Sequence, residues 1–221
     1  MMAGTGTKTA LLEQFARIGR ALANPARLEL LDLLAQGERS VDDLARAAGM
    51  RLSNTSAQLK ALQAAGLVHT RKEGVHVYHR LAGDDVEHTV EALKDLARTR
   101  LAAAEQAARA YLGDVAALEP IGHAELARRL NEGTAVVIDV RPAAEYAASH
   151  IPGALSIPLD ELAARLDALP RDTRIVAYCR GPYCAYAPEA ARTMRAHGLT
   201  AHPLQGGLPQ WRRAGLPTEN P

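Results

Sequence analysis

The most sharply marked chemistry in this 221-residue chain belongs to its two cysteines, Cys179 and Cys184, separated by Arg180, Gly181, Pro182 and Tyr183. Cys179 closes the apolar run Ile175-Val176-Ala177-Tyr178, of the kind buried on both faces of a parallel sheet. It therefore stands at the carboxyl edge, where ligands bind in such sheets. Arg180-Gly181-Pro182 reads as a turn. Pro188 has no N–H to donate and is tolerated only in a helix's first turn, so the next helix begins near Cys184. Backbone N–H groups of residues 180–184 are expected to wrap the Cys179 sulfur, with a helix N-terminus beneath it and Arg180 alongside. All three favour thiolate over thiol, so the Cys179 pKa is expected to be depressed. Cys184, at the far end of the loop, admits two readings: a resolving thiol that attacks a sulfur adduct on Cys179, or a small buried residue that starts the helix. Two thiols alone cannot complete a tetrahedral zinc site, and the chain is read as holding no metal and no cofactor.

Charge marks a second region. Residues 46–80 carry Arg46, Arg51, Lys60, Arg71, Lys72 and Arg80 against the single acid Glu73, a local charge of +5 within a chain of net charge +1. Such a stretch suits a polyanion, although a charge run alone is commonly a solvated face.

The elements that position these residues follow from periodicity. Leu11, Leu12, Phe15, Ile18 and Leu22 recur at helical spacing, and Asn24-Pro25 breaks that helix and opens a second through Leu34. Ser40 caps a third helix ended by Gly49, and a fourth runs from about Ser53 to Ala65. LVHTRKEG and VHVYHRLAG, hinged at Glu73-Gly74, read as a hairpin with one wet face, a wing. A single long helix is expected from Asp84 to Leu112, its Val86, Val90, Leu93, Leu96 and Leu101 stripe too apolar for a lone solvated helix and suited to a partner subunit. Residues 113–120 read as a linker. Beyond them, the apolar runs TAVVIDV and IVAYC alternate with helical stretches, which argues for a doubly wound α/β domain. The expected fold is thus two domains: a mainly α winged helix-turn-helix over residues 1–112 and an α/β parallel sheet over 121–221.

The first half resembles the ArsR/SmtB repressors: RLSNTSAQLKALQAAGLV follows their recognition-helix signature, with Gln58 where that signature has His, and ALANPARLELLDLL fits the helix before it. The resemblance implies a homodimer on double-stranded operator DNA. A helix in the major groove needs short polar side chains and amides that pair with base edges, which Ser53, Asn54, Ser56 and Gln58 supply. Arg51, Lys60, Arg71, Lys72 and Arg80 are expected to neutralise phosphates. Metal sensing is not supported. The Cys-Val-Cys of thiophilic-metal relatives is here Ser40-Val41-Asp42, and after Asp85 and His88 the last helix offers no further His. His76 and His79 are expected to face solvent or DNA.

The second half resembles single-domain rhodaneses over residues 121 to about 219: DVRPAAEYAASHIPGALSIPL and GGLPQWRRAGLP follow that family's motifs. Asp139, Arg141, Glu145 and Trp211 are read as holding the fold. Related phosphatases and arsenate reductases close the loop with an Arg, whereas Ala185 and Ala187 offer no guanidinium here. The resemblance therefore implies sulfane-sulfur transfer, with a persulfide on Cys179 stabilised by loop amides. Together the two halves suggest a repressor that senses a persulfide, polysulfide or thiosulfate; the enzyme alternative is a sulfurtransferase tethered to a DNA-binding module.

Composition sets the outer bounds. No apolar run approaches the roughly 18 residues of a membrane span, and MMAGTGTKTA lacks a secretory h-region, so a cytoplasmic, non-membrane protein is expected. Only two cysteines, in a chain expected in a reducing compartment, argue against a structural disulfide framework.

Overall fold

The computed structural model describes residues 5–220; the opening Met-Met-Ala-Gly, part of the segment read as lacking an h-region, lies outside them. The chain divides into two compact units between Ala97 and Arg98.

In the first unit, α1 (Thr5–Leu22) is followed by α2 (Pro25–Leu34), which opens as the sequence dictates: Pro25 takes the first turn and the Asn24 side chain accepts from the Arg27 N–H. β1 (Arg39–Ser40) leads into α3 (Val41–Ala47), capped by Ser40 Oγ accepting from the Asp43 N–H at 3.2 Å. Gly49, at φ 62°, reverses the chain towards α4 (Leu52–Ala64). β2 (Val68–Glu73) and β3 (His76–Leu81) form the expected hairpin, and α5 (Asp84–Arg100) follows. The core is leucine-built: Leu30, Leu31, Leu33, Leu44, Leu59 and Leu62 are all essentially inaccessible. Each such side chain contributes about 1.5–3 kcal/mol of burial.

Two expectations are corrected in this unit. β1 pairs with the outer edge of β3, giving an antiparallel sheet of order β1-β3-β2. Because side chains alternate along a strand, His79 shares the inner face with Leu81, and it is buried rather than facing solvent or DNA. The single helix expected from Asp84 to Leu112 is two, because Leu101 is extended (φ −117°, ψ 104°) between α5 and α6 (Ala102–Leu112). No Pro or Gly accounts for the break. It lies where the two units meet in sequence: Val86 and Val90 are buried in the core of the first, whereas α6 groups with the second.

In the second unit, Arg192 donates to the Leu112 carbonyl at the end of α6. Residues 113–120, expected as a linker, hold a 3-10 turn at Ala116–Leu118 and are tied down as well: Arg195 Nη2 donates to the Leu118 carbonyl at 2.8 Å. The remaining elements are α7 (His123–Asn131), β4 (Ala135–Asp139), α8 (Ala143–Ala148), β5 (Leu155–Ser156), α9 (Leu162–Arg165), β6 (Arg174–Tyr178), α10 (Tyr186–Ala196), β7 (Ala201–Pro203) and α11 (Leu208–Arg213). The strands form a parallel four-stranded sheet of order β5-β4-β6-β7. Alternation along β6 feeds two cores, as a doubly wound sheet requires. Ile175, Ala177 and Cys179 pack with Ala187, Ala190 and Met194 of α10, while Val176 and Tyr178 pack with Leu126 of α7 and Trp211 of α11.

Candidate functional sites

Cys179 follows the last residue of β6 and is 1 % exposed. Its Sγ donates towards two carbonyls, those of Cys184 at 3.4 Å and Gly181 at 4.0 Å. The loop closes on itself through the Cys184 N–H to the Gly181 carbonyl at 3.1 Å, and α10 starts at Tyr186 with Pro188 in its first turn. Cys184 is half-buried at the opposite end. The two thiols are near enough for each to shift the other's titration.

That geometry overturns the expected depression of the Cys179 pKa. Burial pushes the Cys179 thiol well above its ordinary value, and the hydrogen bond and charge of Cys184 push it further; the amides of Ala187 and Gly181 oppose this without prevailing. Cys184 moves the other way. The hydrogen bond from Cys179 lowers it to about 7 against the effect of burial, helped by the amides of Arg180 and Tyr186 and by the Arg180 charge. The amides expected around Cys179 are thus divided between the two sulfurs, and carbonyls occupy part of the space around the first.

Arg180 does not bend over the sulfur. Its Nε and Nη2 clasp the carboxylate of Glu145, at 3.0 and 2.7 Å to Oε1, and its guanidinium lies over the Tyr186 ring, 5.2 Å from the centroid. Burial works against the Arg180 charge and the Glu145 pair outweighs it, so its pKa is raised. Glu145, read from sequence as a fold residue, is the anchor of a loop residue. Gly207 is a second residue whose role the sequence did not disclose. A Cβ there would stand 2.4 Å from the Cys179 carbonyl oxygen and 2.5 Å from the Gly181 nitrogen, so only glycine lets α11 back onto the loop. The signal was the paired glycine of GGLPQW. Beneath the loop, Asp139 and Arg141 form a fully buried pair at 2.6 Å, and Tyr178 donates to Asp139 Oδ2 at 2.6 Å. Of the loop residues named from sequence, Gly181 and Cys184 line the thiol pair through their backbones, while Pro182 and Tyr183 form the turn between them.

In the first unit, α4 presents Ser53, Asn54 and Lys60 exposed, with Arg51 exposed at its N-cap and Ser56 and Gln58 half-buried. Asn54 Oδ1 accepts from Gln58 Nε2 at 3.0 Å, and Gln58 Oε1 accepts from Arg27 Nη1 at 3.0 Å, so the two amides are held as one unit on the helix face. Lys72 and Arg80 are exposed on the wing. Arg71 is also exposed, but it is matched locally: its guanidinium meets Glu38 Oε2 at 2.7 Å and Glu73 Oε2 at 2.6 Å. Glu38 lies outside the basic window and only the fold brings it to the wing.

The bacterial regulatory protein arsR family matches residues 24–70, and the rhodanese-like domain matches residues 122–214. The HTH-type transcriptional regulator Rv0324 of Mycobacterium tuberculosis is 49% identical over 219 residues, covering 99% of this chain and 96% of that protein. The chain is an ArsR-family transcriptional regulator with a C-terminal rhodanese-like domain. Its halves also have separate relatives. A protein named Sulfurtransferase from Allochromatium vinosum is 34% identical over 86 residues, 39% of this regulator and 79% of that protein. A solution structure from Mycobacterium bovis, described as a homodimeric winged helix-turn-helix DNA-binding domain, is 48% identical, covers 46% of this regulator and 94% of that chain, and superposes with a TM-score of 0.42. In this ArsR-family regulator the stretch where thiophilic-metal relatives carry Cys-Val-Cys serves the backbone instead: Ser40 caps α3 and donates to Asp43 Oδ2 at 2.7 Å. No helix among the described residues is long and apolar enough to cross a membrane.

Proposed function

We propose that this ArsR-family regulator is a homodimeric repressor whose rhodanese-like unit senses sulfane sulfur through Cys179 and Cys184. The observation that carries the reading is the thiol pair itself: two free cysteines at the two ends of one closed loop, at the carboxyl edge of a parallel sheet, with Cys179 Sγ reaching the Cys184 carbonyl at 3.4 Å. The donor would be a small persulfide, polysulfide or thiosulfate. On the DNA side, Asn54 and Gln58 would read base edges with Ser53 and Ser56, while Arg51, Lys60, Lys72 and Arg80 meet phosphates. Dimerisation is supported by apolar side chains left in water on α1, where Leu11, Leu12 and Phe15 are 54, 52 and 61 % exposed.

The test is operator affinity of the reduced protein on its own upstream DNA at fixed salt, with and without stoichiometric polysulfide. Wild type is expected to lose about tenfold or more in affinity, a typical coupling magnitude, and Cys179→Ser to lose none. Sulfur loading with unchanged affinity would sink the sensor reading. It would favour the second one, a DNA-associated sulfurtransferase, which the likeness of the C-terminal unit to the Allochromatium vinosum protein supports.

A further inference from the structure

Arg27 lies on α2, outside the basic stretch and outside the recognition helix, yet the fold sets its guanidinium against α4. Nε donates to the Ala21 carbonyl, Nη2 to the Arg20 carbonyl at 2.8 Å and Nη1 to Gln58 Oε1 at 3.0 Å. The half-buried group is thus held from three sides. A guanidinium carries donors only. The Gln58 amide must therefore turn its oxygen to Arg27 and its nitrogen away, and that nitrogen donates to Asn54 Oδ1 at 3.0 Å. Asn54 Oδ1 is thereby taken up, and Asn54 Nδ2 becomes the outer end of the row. Asn54 is exposed, and among the described residues its Nδ2 has no hydrogen-bond partner. In isolation each amide faces either way; a donor-only group at the inner end removes that choice for both.

We infer that Arg27 is a positioning residue for base recognition: it orients the amides of Gln58 and Asn54 so that α4 offers the Asn54 Nδ2 hydrogens to the major groove and selects guanine. The inference rests on the reading of α4 as the base-reading helix. Guanine presents two adjacent acceptors, N7 and O6, on its major-groove edge, which suits an amino group with two hydrogens. Adenine carries an amino group beside N7 and is met by an amide that offers both its oxygen and its nitrogen. Here the Asn54 oxygen is turned to Gln58, so that pairing is opposed. Arg27 acts through these two side chains and needs no contact with DNA.

The test selects sites for the full-length reduced protein from a random-sequence duplex library at fixed salt, then measures affinity for single-base variants of the selected site. Wild type is expected to prefer guanine about tenfold over adenine at one position of each half-site, and Asn54→Ala to lose the preference at that position alone. Gln58→Glu keeps the bond from Arg27 but offers only acceptors, so Asn54 turns Nδ2 inward and Oδ1 outward. Its preference at that position is expected to change to adenine or cytosine, whose amino groups donate. Arg27→Met releases the row, and its guanine-to-adenine ratio is expected to fall to about twofold or less there, with the slope of log affinity against log salt unchanged. A ratio at one position does not register a uniform loss of affinity, so impaired folding does not imitate these results; Gln58→Glu carries the test if Arg27→Met fails to fold. Guanine retained by Gln58→Glu overturns the inference. So does an Arg27→Met variant that keeps the base preference and loses about 1 from the salt slope, which would make Arg27 a phosphate contact. If the wild type selects no sequence, the reading of α4 falls and takes this inference with it. A selected sequence that Asn54→Ala reads identically overturns the inference alone.

Discussion

At the scale of single residues, the site is decided by which polar group faces which sulfur. The sequence shows a thiol, a tight turn and a helix start, and counting N–H groups from that pattern predicts a thiolate at Cys179. A turn that brings amides inward also brings carbonyls inward, and their orientation is a property of the closed loop alone. The same holds for Arg180, whose proximity to Cys179 in sequence suggested direct assistance, whereas the fold hands its guanidinium to Glu145. Breaking that pair leaves a largely buried cation without its counter-charge, so Glu145→Gln is expected to destabilise the second unit by about 2–4 kcal/mol. Urea unfolding followed by Trp211 reads this directly, since it is the chain's single tryptophan and is buried in that unit.

At the scale of elements, α4 and the wing carry the interface proposed for DNA, and the ion pairs sort their cations. Lys60→Ala is expected to weaken operator binding across sequences and to reduce the slope of log affinity against log salt by about 1. Arg71→Ala is expected to change that slope less, because Glu38 and Glu73 already match the Arg71 charge. A salt titration of both variants distinguishes them; equal slopes would show that the wing releases Arg71 on binding. Helix boundaries here were legible because Pro25, Ser40, Gly49 and Gly66 act locally. β1 was not: a two-residue strand has no periodicity to read, and it exists only because β3 offers it an edge.

At the scale of the whole molecule, the apolar surface on α1 predicts association. Phe15→Glu is expected to shift the protein from dimer to monomer in sedimentation at micromolar concentration, with operator affinity falling in step. Acid sensitivity is the second global property. Burial holds His79 in the first unit and His123 in the second below their ordinary value, and the Arg213 charge adds to the effect on His123. Each therefore binds a proton less readily folded than unfolded. Their contribution to stability is complete above the unfolded value of about 6.5 and is lost as pH falls through the folded values. The urea midpoints of both units are expected to fall between pH 7 and pH 5, and His79→Gln to flatten that dependence in the first unit only.

The sequence by itself determined the two-part architecture, the winged helix, the parallel strands and the place of the two cysteines at the ends of one loop, because helix caps, strand alternation and the spacing of Cys179 and Cys184 are local patterns. Only the tertiary structure decided which carbonyls face the Cys179 sulfur, what anchors Arg180, why Gly207 must lack a side chain, where the last helix breaks and that His79 is buried. Each of those depends on groups distant in sequence meeting in space, where burial and the direction of a single carbonyl or carboxylate outweigh local propensity.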